Sequence, residues 1–255
     1  MSQPNVAEPA GLPAAPQASH PQAAYAGAVA VLLLTEFAPA QRLWGWGRLV
    51  LQRWPLRKVP GLLFSKVLGS GYEGGFGLRP SGSRQGLFLG FDSEQAAQAF
   101  VQTSPVLQAY RRHSRECCVA VLLATSCKGS WSGAALGVGS PDCAGRPVAS
   151  LTRASIKPSK LWAFWRLQPA AERSLHAAPG CELAVGLGEM PLLRQCTFSL
   201  WRDAAALDAY ARSGAHLQAI QAAYAGHHFG ESMFVRFAPL SVQGRWKGQV
   251  FAYVV

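Results

Sequence analysis

The stretch RQGLFLGFDSEQAAQAFVQTSPVLQAY, residues 84–110, returns without a gap as RQCTFSLWRDAAALDAYARSGAHLQAI, residues 194–220. Eight of the 27 aligned positions are identical at this offset of 110. An arbitrary offset gives roughly two, so chance is a poor explanation. The pairs are Arg84/Arg194, Gln85/Gln195, Phe88/Phe198, Ala96/Ala206, Ala99/Ala209, Leu107/Leu217, Gln108/Gln218 and Ala109/Ala219. Working outward, Leu43-Trp44 and Arg48-Leu49 answer Leu161-Trp162 and Arg166-Leu167 at an offset of 118, and Pro60-Gly61 answers Pro179-Gly180. Downstream, Gly129-Ser130-Trp131-Ser132-Gly133 answers Gly244-Arg245-Trp246-Lys247-Gly248. The chain is a tandem duplication.

Periodicity assigns the elements of each copy. Residues 29–34 and 148–152 read as short apolar strands. Pro39 and Pro158 then open segments with apolar residues at 43, 44, 47, 50, 51 and 54, or at 161, 162, 164, 165 and 167, which is helical spacing with Pro in the first turn. Strands follow near 62–68 and 182–187, closed by Gly69 and Gly71 or by Gly186 and Gly188, and then at 85–91 and 195–201. Amphipathic helices are expected at 93–113 and 203–224, capped by Asp92-Ser93 and Asp203, before strands at 117–124 and 233–237. The order βαββαβ is the ferredoxin-like unit, whose helices cover one sheet face only. Its other face needs a second sheet, and a tandem copy supplies one. The expectation is an α+β protein: two tandem ferredoxin-like repeats, 28–137 and 147–255 with a linker at 138–146, forming a single-chain dimeric α+β barrel whose two sheets enclose an apolar cavity. Residues 1–27 are Ala, Pro, Gln and Ser with few large side chains and read as a disordered tail that includes His20.

Composition narrows the function. Of 255 residues 49% are hydrophobic and only 15% charged, so the whole is globular rather than disordered. The net charge of +11 raises the question of nucleic acid, but there is no zinc-knuckle spacing, no RNP-type strand and no Lys/Arg run longer than two. Anionic lipid or an acidic protein is the better recipient. The six cysteines (117, 118, 127, 143, 181 and 196) contain no C-x-x-C and read as buried thiols, as in a reducing compartment. The longest apolar run, residues 23–34, stops at Thr35-Glu36, short of the ~18 to 20 residues of a membrane span.

Common catalytic signatures are missing: no G-x-G-x-x-G enters a helix from a strand, and there is no P-loop or G-x-S-x-G elbow. Gly71-Tyr72-Glu73-Gly74-Gly75-Phe76-Gly77 joins two antiparallel strands and reads as a hairpin rather than a phosphate cradle. Scattered carboxylates argue for chemistry that depends on a cofactor. His216 is a candidate to hold one, because its counterpart in the first copy is Val106: the scaffold is duplicated and the imidazole is not. A surface or core helix histidine is the bland alternative. His113 and His176 are expected to be exposed. His227, His228 and Glu231 offer two imidazoles and a carboxylate for non-haem iron, but adjacent side chains diverge on any regular element. Trp44, Trp46 and Trp54 in one copy and Trp162, Phe164 and Trp165 in the other suit either helix packing or a large apolar ligand.

Residues 149–158 (ASLTRASIKP), Leu161-Trp162-Ala163-Phe164-Trp165, residues 186–201 (GLGEMPLLRQCTFSLW) and the Gly214-Ala215-His216 helix resemble the spheroidene monooxygenase family, the acyclic carotenoid 2-ketolases. The resemblance covers roughly residues 28–250, closely in the second copy and more loosely in the first. It implies an oxidoreductase that uses haem b, O2 and reduced ferredoxin to place a keto group at C-2 of an acyclic carotenoid. Under it, His216 is the expected axial ligand of the haem iron, with Tyr210 and Cys196 as alternatives in the same repeat. Arg153, Lys157 and Arg166 are candidate partners of the haem propionates, and Trp162, Phe164, Trp165, Phe198 and Trp201 candidate substrate-pocket residues. A C40 polyene cannot travel through water, so a cytoplasmic enzyme peripheral to the membrane is implied, with no nucleic acid as partner. The tail and the loop between Cys127 and Cys143 depart from the family. A barrel that binds haem or an apolar ligand without turnover, or a cofactor-free monooxygenase on the same fold, would carry many of the same features.

Overall fold

A computed structural model describes residues 23–24, 28–77, 79–141, 144–190, 192–212 and 214–254; most of the tail read over 1–27, with His20, and Cys143 lie outside them. The first half comprises β1 (Val29–Phe37), α1 (Arg42–Leu51), α2 (Arg53–Leu56), β2 (Leu62–Gly71), β3 (Pro80–Phe91), α3 (Glu94–Thr103), α4 (Pro105–His113) and β4 (Ser114–Gly129). The second comprises β5 (Val148–Ile156), α5 (Leu161–His176), β6 (Cys181–Met190), β7 (Arg194–Trp201), α6 (Ala204–Ala211), α7 (Gly214–Ala225) and β8 (Phe229–Trp246), followed by β9 (Gln249–Val254).

Strand order is β4-β1-β3-β2 in the first half and β8-β5-β7-β6 in the second, the same order twice. Long β8 pairs with β5 through Phe229–Phe237 and with β4 through Met233–Gly244, while β2 meets β6 at Gly69↔Gly188 and Ser70↔Leu187. The eight strands thereby close into an antiparallel barrel, with β9 added beyond β8. The chain is an α+β barrel of the dimeric type in one polypeptide.

Two sequence expectations are corrected. The helices read over 93–113 and 203–224 are each broken at one matched position. At Ser104 the following Pro105 forces an extended ψ of 125°, and the Ser104 side chain accepts from the Val106 amide to restart the helix. Its counterpart Gly214 turns with a φ of +60°. The second correction concerns the interior. The space between the two sheets is a packed core, in which Phe88 lies 5.6 Å from Trp131 and 6.3 Å from Phe237, ring centre to ring centre. Alternation explains why: Ala30, Leu32 and Leu34 of β1 point into the barrel while Val29, Val31 and Leu33 point to the helices. The open space lies on the other face of one sheet.

Candidate functional site

In the first half, Val31, Leu33, Leu87 and Leu89 fill the layer between sheet and helices, with Phe100, Leu107 and Tyr110 packed on them. The cross-strand pairs Leu33↔Leu87 and Val31↔Leu89 have as second-half counterparts Thr152↔Thr197 and Ser150↔Ser199. Each exchange removes at least two carbons from the side chain and adds a hydroxyl. The layer opens into a cavity of about 700 Å³ walled by Ser150, Thr152, Ala154, Thr197 and Ser199 on the sheet and by Phe164, Leu167, Ala171, Leu175, Leu207 and Tyr210 on α5 and α6. That size lies within the range of roughly 300–1,000 Å³ typical of small-molecule and cofactor sites. Sequence reading missed this, although Leu87/Thr197 and Leu89/Ser199 stand side by side in the repeat alignment.

The first half supplies one wall. Its glycine-rich hairpin reaches across, so that Phe76 lines the cavity and its amide donates to Glu172 Oε1 at 2.9 Å. Gly186 admits that approach, since a Cβ there would stand 2.3 Å from the Gly75 carbonyl oxygen. Ser70 Oγ fixes the same seam by donating to the Gly186 carbonyl at 2.7 Å.

His228 enters from the opposite side. After α7, His227 adopts a left-handed φ of +48° and stays exposed, while His228 turns inward to the cavity wall with 6% of its surface exposed. Its carbonyl accepts from the Lys157 amide at 2.9 Å, and Gly226 makes room for the ring, a Cβ there falling 2.4 Å from Nε2. Nδ1 is buried with no hydrogen-bond partner. Burial, reinforced by the nearby Lys160 charge, holds the imidazole pKa below its ordinary value and keeps the ring neutral. A metal-ligating histidine almost always donates its second ring N–H to an acceptor. His228 has none at Nδ1, and its Nε2 lies against Gly226.

The residues singled out in the sequence separate. Phe164 and Tyr210 line the cavity, and burial pushes the Tyr210 phenol up, so it stays protonated. Trp201 stands behind the wall, donating to Ser199 Oγ at 2.9 Å and lying 5.1 Å from the Tyr210 ring. His216 falls in α7, which packs beside α5, and its side chain lies outside the described residues. Phe198 and Cys196 point into the barrel, across the sheet from the cavity, which corrects the pocket reading for one and the ligand alternative for the other. Trp162 is 75% exposed beneath the Arg166 guanidinium, and Trp165 donates to the Leu192 carbonyl outside the cavity. Neither Arg166 nor exposed Lys157 lines the cavity. Lys128 and Arg236, not singled out in the sequence, do. His113 is partly buried, stacked 4.2 Å from Trp44 and bonded to Gln41 Oε1.

Arg153 is also corrected. It lies inside the barrel, 2% exposed, bonded to Glu189 and Glu231 and facing Trp131. Glu189 accepts from Trp131 Nε1 at 2.8 Å and pairs with Lys66 at 2.9 Å; Glu231 accepts from Ser130 Oγ and the Gly133 amide. Both charges of each sign are matched, and the cluster pins the Trp131 turn to the barrel. Glu231 is thus committed away from His228 and exposed His227, so the three residues considered for non-haem iron are not assembled. Among the described residues no group of three or more His, Cys, Asp or Glu is placed to hold a metal ion.

No protein-family model matches the chain. It is 55% identical over 229 residues to spheroidene monooxygenase of Rubrivivax gelatinosus, covering 90% of this chain and 89% of that one. To spheroidene monooxygenase of Rhodobacter capsulatus it is 35% identical over 229 residues, covering 87% and 94%. Among solved structures, aldoxime dehydratase OxdRE in complex with butyraldoxime superposes with a TM-score of 0.56 at 8% identity, over 83% of this chain and 79% of that one. The latter is a likeness of fold alone. At this identity and coverage of its relatives, the chain belongs to the spheroidene monooxygenase family.

Proposed function

We propose that the protein is a haem-dependent monooxygenase that introduces a C-2 keto group into acyclic carotenoids such as spheroidene, with O2 and reduced ferredoxin. The observation that carries the reading is the one-sided hollow: the same layer is packed in the first repeat and open in the second. Family membership supplies the substrate class.

The residues present fit the cofactor. The cavity has the volume, its sheet wall carries Lys128 as a partner for a propionate beside Arg236, which is paired with Asp208, and α7, which carries His216, packs beside a helix of its wall. His216 would be the residue that holds the iron. When bound, haem b would supply the reductive activation of O2. The chain's own side chains do the rest. Phe164, Leu167, Leu175 and Phe229 exclude water, and the wall hydroxyls of Thr152, Thr197 and Ser150 give polar groups that the first repeat lacks. His228, neutral and buried, closes the cavity on the side of β8. Converting a methylene to a ketone takes two hydroxylations, each consuming one O2, two electrons and two protons and releasing one water; the resulting geminal diol then loses water. Reduced ferredoxin is the electron donor in this reading. No helix among the described residues is long and apolar enough to cross a membrane, and we place the enzyme in the cytoplasm, in peripheral contact with the membrane that holds its substrate.

Incubating the purified protein with spheroidene, O2 and a reduced ferredoxin system is the direct test. A keto carotenoid is expected, together with a Soret band that His216→Ala abolishes. No product would refute the enzyme reading; product without a Soret band would point to cofactor-free oxygenation; and an unchanged spectrum in His216→Ala would remove that ligand.

A further inference from the structure

Helices α1 and α2 present an apolar stripe, flanked by cations, on their outer face. Gly45, Gln52 and Leu56 face inward, with Gln52 2% and Leu56 1% exposed and Gly45 against the Phe37 ring. Leu43, Trp46, Val50 and Trp54, at spacings of three, four and four, form a helical stripe on the outer face with exposures of 78%, 49%, 66% and 46%. Six of the fourteen exposed large hydrophobic residues among the described residues fall between 43 and 54, a concentration that marks an interaction site rather than scattered surface. Arg42, Arg53, Arg57 and Lys58 are exposed around the stripe, and no Asp or Glu occurs from residue 37 to 72.

We infer that this face docks the protein on an anionic lipid bilayer, with Leu43, Val50 and Trp54 entering the acyl boundary and the flanking Arg and Lys residues meeting headgroup phosphates. Tryptophan beside arginine on an apolar helix face is suited to the headgroup region. A second copy of this chain is a poor occupant, because a two-fold contact would set the four cations against themselves with no carboxylate between them. An acidic protein would satisfy the cations and leave the aliphatic stripe unmatched. A bilayer satisfies both. The inference deepens the membrane contact proposed above and rests on that reading for its purpose, though the surface itself carries it.

The test is flotation of the full-length protein with phosphatidylcholine vesicles, with and without phosphatidylglycerol. Binding is expected to the anionic vesicles and to weaken with salt. Leu43→Ser/Val50→Ser/Trp54→Ser and, separately, Arg42→Glu/Arg53→Glu/Arg57→Glu should each lower partition at least tenfold, since one cation in the headgroup field is worth roughly fivefold. Val250→Ser, on a different exposed apolar residue, should leave it unchanged, with circular dichroism confirming the fold of each variant. Undiminished partition in both triple variants would overturn the inference. So would a dimer dispersed by the same substitutions, or loss of ferredoxin-supported reduction with vesicle binding intact. Variants that convert detergent-dispersed carotenoid normally but lose conversion from vesicles would support it. If the wild type converts neither form, the reaction fails and vesicle partition still decides the docking face.

Discussion

The backbone amide of Phe76, in the first repeat, donates to Glu172 Oε1 on the cavity-lining helix of the second at 2.9 Å. This bond makes the cavity a property of the fused chain, because one wall comes from the repeat whose own layer between sheet and helices is packed. Phe76 is 5% exposed, so its amide has little access to water if the carboxylate is removed. Glu172→Ala should cost about 1–3 kcal/mol of stability and raise amide exchange in the 72–77 hairpin above that of the barrel strands. Exchange confined to the hairpin at wild-type rates would show that the contact does not hold that wall.

The Thr152↔Thr197 pair stands where the first repeat has Leu33↔Leu87. Restoring the apolar pair with Thr152→Leu/Thr197→Leu should fill the hollow while leaving the Trp201–Ser199 bond intact. Burial of the added carbon contributes roughly 0.8 kcal/mol per methylene, which for a domain of this size raises Tm by a few degrees. Uptake of cofactor or carotenoid should fall sharply in the same variant. A melting curve together with a haem titration checks both, and full uptake would place the ligand elsewhere.

The repeat made the fold legible, because identity at a fixed offset survives wherever a side chain packs in both copies. Phe88 and Phe198 are such a pair, and both lie in the barrel core. The site was less legible for the same reason: it consists of positions where the copies differ, and Val106/His216 drew attention while Leu87/Thr197 and Leu89/Ser199 did not. Arg153 and Phe198 were misassigned because facing depends on register. One residue along β5, Thr152 and Ala154 line the cavity, while Arg153 points into the barrel. The helix breaks at Ser104 and Gly214 were visible as Pro105 and Gly214 but were overridden by continuous apolar spacing.

Burial opposes ionisation of Glu189 and Glu231. Hydrogen bonds from Trp131 and Lys66 in one case, and from the Gly133 and Ser132 amides and Ser130 in the other, together with the Arg153 charge, more than offset it and hold both carboxyls below the ordinary glutamate value of 4.5. A depressed carboxylate pKa means that the unfolded chain binds protons first as the solution is acidified. The stability these groups contribute is therefore complete above the ordinary glutamate range and is lost as pH falls below it toward the folded pKa values. Urea midpoints measured from pH 6 down to pH 3 should decline. Glu189→Gln should flatten the decline, and Arg153→Met, which removes the guanidinium from between two half-buried carboxylates that keep their bonds to Lys66, Trp131, Ser130 and the Gly133 amide, should lower the urea midpoint at neutral pH.

His228 differs from the two glutamates in the sign of its charge and, like them, loses stability as pH falls. Burial and Lys160 depress its pKa below the ordinary 6.5, so below that value the unfolded chain takes up a proton that the folded imidazole refuses. Stability is complete above pH 6.5 and falls as pH drops through the window between 6.5 and the folded pKa. His176 is depressed as well, by burial first and then by Lys247, so the His176 and His228 imidazoles should both titrate low in a proton NMR series, and His228→Phe should remove one of these two signals. Nitrogen shifts should place the His228 proton on Nε2, because Nδ1 is buried with no acceptor to receive it. In the loaded protein His228→Phe should retain the haem spectrum while lowering conversion at least tenfold, since the ring borders the cavity. Loss of haem in His228→Phe would instead make His228 an iron ligand and displace His216 from that role.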